Sequence, residues 1–124
     1  MGRTARDTIY IVDDDEAVRD STRALLESYD HVVEDYASAR EFLSAFDDLD
    51  DGCLLLDLNM PEMGGIEVLE ILRDRGAGIA VIVVTAQSDT ALLERARRAG
   101  AFALVRKPVD DNLLGMIEQV FARP

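Results

Sequence analysis

The sequence predicts an α/β fold: a parallel sheet with helices on both faces. Two observations carry this. Four short apolar runs, Ile9–Val12, Cys53–Leu56, Ile79–Val84 and Ala103–Val105, each stop abruptly at polar residues. Between them lie longer segments in which apolar residues recur at helical spacing. Short apolar strands joined by helical crossovers are buried on both sides and pair in parallel.

Taken in order, the first strand is Ile9-Tyr10-Ile11-Val12, followed by Asp13, Asp14 and Asp15. From Glu16 to Tyr29, Val18, Thr22, Leu25, Leu26 and Tyr29 share one helical face, with Asp15 and Glu16 as its capping acids. A weaker strand is expected over His31–Tyr36. Ser38 and Glu41 have the spacing of a capping box and open a helix through Phe42, Leu43 and Phe46. Cys53-Leu54-Leu55-Leu56 is too short and too apolar for an exposed helix, and Asp57 follows it directly. Ile66, Leu69 and Leu72 line a helix that ends before Gly76 and Gly78. The strand Ile79–Val84 ends in Thr85. Asp89 is positioned to cap a helix through Leu92, Leu93 and Ala96, stopped by Gly100. Ala103-Leu104-Val105 runs into Arg106-Lys107-Pro108, and Asp110 or Asp111 caps a last helix carrying Leu113, Leu114, Ile117, Val120 and Phe121. The total is five strands alternating with five helices.

Composition narrows the function classes. A chain of 124 residues is one domain by default, with 48% hydrophobic and 31% charged residues, as in an ordered globular protein. The expected organisation is a polar N-terminal tail over residues 1–7 and one domain over 8–122, with no output domain in this chain. A net charge of -12 argues against direct binding to nucleic acid or an anionic membrane surface, which needs basic residues. The acids Asp47, Asp48, Asp50 and Asp51 read as a solvated turn. Cys53, the single cysteine, rules out an intrachain disulfide and reads as a core residue. No apolar stretch approaches the roughly 18 residues of a spanning helix, and the first residues lack the apolar centre of a signal peptide. A cytoplasmic location is expected.

The strand ends hold the chemistry. One carboxylate, Asp57, is delivered from the middle of the core, where an acid is rarely tolerated unless paired, metal-bound or chemically used. The other strand ends bring an acid pair, Asp13-Asp14, a hydroxyl, Thr85, and a cation, Lys107, the only lysine in the chain. Three clustered carboxylates repel, so without a metal at least one should hold its proton more tightly.

In this order the motifs Asp13-Asp14, Asp57-Leu58-Asn59-Met60-Pro61, Thr85-Ala86 and Lys107-Pro108 resemble those of the receiver domain of bacterial two-component response regulators, the CheY-like family. The resemblance runs from Ile9 to about Ala122. The stretch Ile11–Arg19 is most similar to the FixJ-like branch. The resemblance implies a flavodoxin-like (βα)5 fold with strand order 2-1-3-4-5 and a crevice at the carboxyl ends of the strands. It implies that Asp57 is a phosphoacceptor, that Asp14 and Asp57 bind Mg²⁺, that Asp13 holds a metal-bound water, and that the backbone carbonyl of Asn59 is a further ligand. Thr85 and Lys107 then contact the phosphoryl oxygens. Gln87 and Asn59 stand where access of hydrolytic water is governed. Leu104 and Pro108 belong to the switching region, and Leu104 stands where a tyrosine or phenylalanine is common.

The implied protein is a phosphorylation-dependent signalling module rather than a turnover enzyme. Its partners are a sensor histidine kinase or a histidine phosphotransfer protein. A downstream target binds the surface of the fourth helix, fifth strand and fifth helix, a surface that also admits a homodimer on phosphorylation. His31, outside any motif, reads as a surface residue. A stand-alone receiver is expected, with the receiver half of a FixJ-like DNA-binding transcription factor as the alternative. A phosphatase of the haloacid-dehalogenase type also uses an Asp, a Thr, a Lys and an acid pair. There the nucleophile comes first, in an Asp-x-Asp motif; here the acid pair comes first and Asn59 stands in the place of the second Asp. A receiver-like scaffold that is never phosphorylated is opposed by the intact acid set.

Overall fold

The computed structural model describes residues 8–46, 52–86, 88 and 90–122. Ten elements alternate: β1 (Ile9–Val12), α1 (Glu16–Glu27), β2 (Val33–Tyr36), α2 (Ala39–Ala45), β3 (Cys53–Leu56), α3 (Gly65–Asp74), β4 (Ala80–Thr85), α4 (Thr90–Arg98), β5 (Ala103–Arg106) and α5 (Asp111–Phe121). The strands form one parallel sheet in the order β2-β1-β3-β4-β5.

The apolar runs are buried because both faces of the sheet are covered. Alternation along each strand divides the core in two. Tyr10, Val12, Leu54, Leu56, Val81 and Val83 pack with residues of α2, α3 and α4. Ile9, Ile11, Cys53, Leu55, Ile82 and Val84 pack with Leu26 of α1 and with Leu113, Leu114, Ile117 and Val120 of α5. Tyr10 and Phe46 both meet Phe42, which extends the aromatic packing under α2.

The caps follow from side-chain chemistry. Asp15 caps α1 by accepting from the Val18 amide, so Asp13 and Asp14 are not needed as caps. The Ser38 hydroxyl accepts from the Glu41 amide and also donates to the Glu41 carboxylate. Asp110, not Asp111, is the N-cap of α5, accepting from the Asn112 amide.

Several edges differ from expectation. Helix α1 stops at Glu27, which leaves Tyr29 54% exposed rather than on the buried face. Strand β2 begins at Val33, with Val32 exposed. At the far side, β4 begins at Ala80. His31 is half-buried rather than superficial, its ring centroid 6.1 Å from that of Phe121, at the end of the sheet opposite the acid cluster. The tail over 1–7, the acidic turn at Asp47–Asp51, Gln87 and the Asp89 cap lie outside the described residues.

Helix α5 carries one weak position. Gly115 is exposed, and a Cβ built there meets nothing within 4 Å. Gly115→Ala should raise stability by about 0.5–1 kcal/mol through the lower entropy of the unfolded chain, read as a higher urea midpoint with an unchanged slope.

Candidate functional site

Parallel pairing lines up the carboxyl ends of β1 and β3, and the ladder continues one step past each strand. The Asp57 amide donates to the Val12 carbonyl (3.1 Å), and the Asp13 amide to the Tyr36 carbonyl (3.3 Å). Asp13 and Asp57 therefore leave the sheet side by side, and Asp14 follows on the loop into α1. One carboxylate oxygen from each of the three lies within 4.8 Å of the others. Asp13 and Asp57 are buried, whereas Asp14 is exposed and opens the cluster to solvent.

Helix α3 presses on this point from the next loop. A Cβ built on Gly65 would lie 2.8 Å from the Asp57 carbonyl oxygen and 2.8 Å from Leu58 Cα. Only a residue without a side chain lets the first turn of α3 approach so closely.

Like charges at 4.8 Å repel by about 3–4 kcal/mol per pair at an effective dielectric of about 20. Lys107 supplies the compensation. Its Nζ is 2.8 Å from Asp13 Oδ2 and 3.6 Å from Asp57 Oδ2. Its backbone amide donates to the Thr85 carbonyl (3.0 Å), which ties the β5–α5 loop to the end of β4. Burial alone would lower the lysine pKa. The hydrogen bond to Asp13 and the charges of Asp57 and Asp13 outweigh it, and the pKa is raised.

The Asp57 pKa is raised as well, but here the rise disfavours the charged form. Burial comes first and raises its pKa above the ordinary 3.8, opposed by the Asn59 amide, which donates to Oδ1 at 3.2 Å, and by Lys107; Asp13 and Asp14 raise it further. On its core side there is little room for solvent. A cavity of only about 10 Å³, lined by Asp13, Asp57, Val18, Thr22 and apolar strand residues, has space for at most one water.

The structure thus brings together Asp13, Asp14, Asp57 and Lys107, with the Asn59 amide on Asp57 and Thr85 buried at the end of the adjacent strand. Leu104 stands apart. It is half-buried against the core face shared with Leu92 and Leu93 of α4. Pro108 follows Lys107 through a cis peptide and is exposed. Two residues of this region carried no signal in the sequence: Arg19, which donates from Nη1 to the Asp13 carbonyl (2.9 Å), and Asp35, 3.8 Å from Arg19 Nε. Three hard carboxylate oxygens open to solvent at Asp14 suit a divalent cation with oxygen preference.

Residues 9–118 match the response regulator receiver domain. The chain belongs to that family. The transcriptional regulatory protein FixJ of Azorhizobium caulinodans is 44% identical over 103 residues, which are 83% of this chain and 49% of that protein. The crystal structure of FixJ-N superposes with a TM-score of 0.84 at 34% identity, covering 97% of this chain and 94% of that one. Full-length FixJ from B. japonicum gives a TM-score of 0.86 at 34% identity, covering 95% of this chain and 59% of that one. The chain spans about half the length of the curated relatives it matches. This receiver is FixJ-like, with the flavodoxin-like fold and strand order of the family. It is a phosphorylation-dependent module of two-component signalling.

In the metal-free protein the Asp57 carboxyl should titrate above 3.8, and Lys107→Met should move it higher by removing the adjacent positive charge. An acid whose pKa is raised on folding binds its proton more tightly in the native state. Its contribution to stability is therefore greatest below the unfolded value and falls as pH rises through the raised one. Carboxyl carbon shifts of Asp57 followed by NMR across pH in both proteins test the order; a lower midpoint in the lysine variant contradicts it.

Proposed function

We propose that Asp57 accepts a phosphoryl group from a sensor histidine kinase or a histidine phosphotransfer protein, on the cytoplasmic side of the membrane. The observation that carries this reading is a buried carboxylate at a strand end, flanked within 4.8 Å by two acids and within 3.6 Å by the one lysine. Asp57 Oδ attacks phosphorus, forming the O–P bond as the bond to the donor breaks. Asp14, Asp57, the Asn59 carbonyl and, through water, Asp13 would hold Mg²⁺, which would supply charge neutralisation for the transferring group. Lys107 and Thr85 point contacts steady the phosphoryl oxygens. Lys107 is half-buried and its pKa is raised, so it meets the transferring group already charged. The protein catalyses its own modification and turns over no separate substrate.

Asp57→Asn should abolish incorporation from acetyl phosphate, measured by intact-mass shift; incorporation in that variant sinks the assignment. Asp14→Ala should weaken Mg²⁺ binding at least tenfold, whereas Glu16→Ala, one residue inside α1, should change it less than twofold. Equal effects would make the acid cluster a general cation attractor.

The readout surface is α4, β5 and α5, with Leu92, Leu93, Arg95, Arg97 and Arg98 of α4 at hand. A phosphoryl group shifts a conformational equilibrium only by binding one state better, and contacts to Thr85 and Lys107 provide that difference. Leu104 has no ring to swing, so the change is carried by the backbone and by the segment leading into α4. Amide shift mapping with beryllofluoride, a stand-in for the phosphoryl group, should show perturbations reaching residues 86–106; changes confined to the acid cluster refute this route.

A second reading is favoured by the relatives. The FixJ proteins matched are named transcriptional regulatory proteins, and this chain spans about half of each. In that reading the switched surface controls a DNA-binding portion instead of a separate target. The coding sequence downstream of codon 124 separates the two.

A further inference from the structure

Asp13 is held at more points than its role as a water-mediated ligand requires. Its amide donates to the carbonyl of Tyr36 at the end of β2. Its Oδ1 accepts from the Asp15 amide (2.9 Å) and its Oδ2 from Lys107. The remaining handle, the carbonyl oxygen, accepts from Arg19 Nη1 at 2.9 Å. Arg19 sits in the first turns of α1, and its side chain is only 14% exposed. A buried guanidinium is costly without a counter-charge. Its Nε is buried at 3.8 Å from Asp35 Oδ1, an ion-pairing distance beyond hydrogen-bond reach. Asp35 is the β2 residue in register with Ile11 of β1, and its Oδ2 accepts from Arg23 Nη1 at 2.9 Å. The fork of Arg19 therefore bridges the acid loop and the adjacent strand, a geometry that a point charge does not reproduce.

We propose that Arg19 is a positioning residue for the acid cluster. Braced by Asp35, it pins the Asp13 carbonyl, fixes the direction in which the Asp13–Asp14 loop leaves β1, and so sets the affinity for the divalent cation and with it the phosphorylation rate of Asp57. The proposal rests on the reading of Asp13, Asp14 and Asp57 as a cation site. Groups that orient ligands without touching the metal commonly matter about 10–100-fold in affinity.

The experiment compares the wild type with Arg19→Met, Arg19→Lys, Asp35→Asn, the double variant Arg19→Met/Asp35→Asn, and Arg23→Met, which shares Asp35 but does not touch Asp13. Mg²⁺ affinity is measured by calorimetry, phosphorylation by acetyl phosphate is followed by mass shift across Mg²⁺ concentrations, and melting temperature is recorded alongside. Arg19→Met should weaken Mg²⁺ binding about tenfold. Its phosphorylation should be slow at low Mg²⁺ and recover toward the wild-type rate at saturation, which a folding defect would not do. Arg19→Lys should restore part of the affinity. Asp35→Asn should weaken it less than Arg19→Met, and the double variant should be no worse than Arg19→Met alone. Arg23→Met should stay within twofold of wild type. If Arg19→Met lowers the melting temperature but leaves Mg²⁺ affinity within twofold, Arg19 is merely structural and the proposal is overturned. If the two single variants are additive, Asp35 is not its brace and the bridge is overturned. If the wild type itself binds no Mg²⁺, the cation-site reading fails, a result distinct from either.

Discussion

Everything at the carboxyl edge of the sheet answers to one constraint: three carboxylates crowd together beside an apolar core, and a single ammonium faces them. The sheet creates the crowding. Parallel registration of β1 and β3 makes Asp13 and Asp57 neighbours as surely as it makes Val12 and Leu56 neighbours. Burying those two acids is unfavourable, and the structure answers with short, local compensation: main-chain amides at Asp57 and Asp13, and Lys107 across both. The compensation is incomplete, since Asp57 still holds its proton more tightly than an ordinary aspartate. Residual negative charge at a solvent-open mouth suits a divalent cation.

Packing and chemistry are separated along the strands. The apolar portions of β1, β3 and β4 are buried to the last residue, and the functional side chain is the one that follows. Rigid strands thereby aim groups that the loops alone would leave loose. Gly65 shows how far this goes, because the first turn of α3 rests directly on the main chain of Asp57 and Leu58.

Much of this was legible in the residues. An apolar run that stops at an acid announces itself without coordinates, as at Asp57 and Asp13, and Lys107 stands out as the only lysine, just past the end of another such run. The sheet order required the resemblance, since strand patterning does not say which strands are neighbours. What stayed hidden depended on distance in the fold. Arg19 reads in the sequence as one of many arginines on an exposed helix, and Asp35 as one of many surface acids; only the pairing of β2 with β1 brings them to the same point. Tyr29 misled for the opposite reason. Its spacing fits the α1 face, but the helix ends at Glu27 and the ring points out. His31 gained its partial burial from Phe121, ninety residues away, which no local pattern reports.

The reach of Lys107 has a mechanical consequence. It hangs from the loop after the edge strand β5, while Asp13 follows β1, three ladder spacings away in the order β1-β3-β4-β5. At about 4.8 Å per spacing this is about 14 Å, a distance closed by the long lysine side chain together with the loops that carry the two residues. The lysine behaves as a guy-line strung across the crevice, with Thr85 beneath it. One bank of the crevice is therefore moored by charge as well as by the ladder to β4. The edge strand of the sheet is in this way tied electrostatically to a strand it does not pair with.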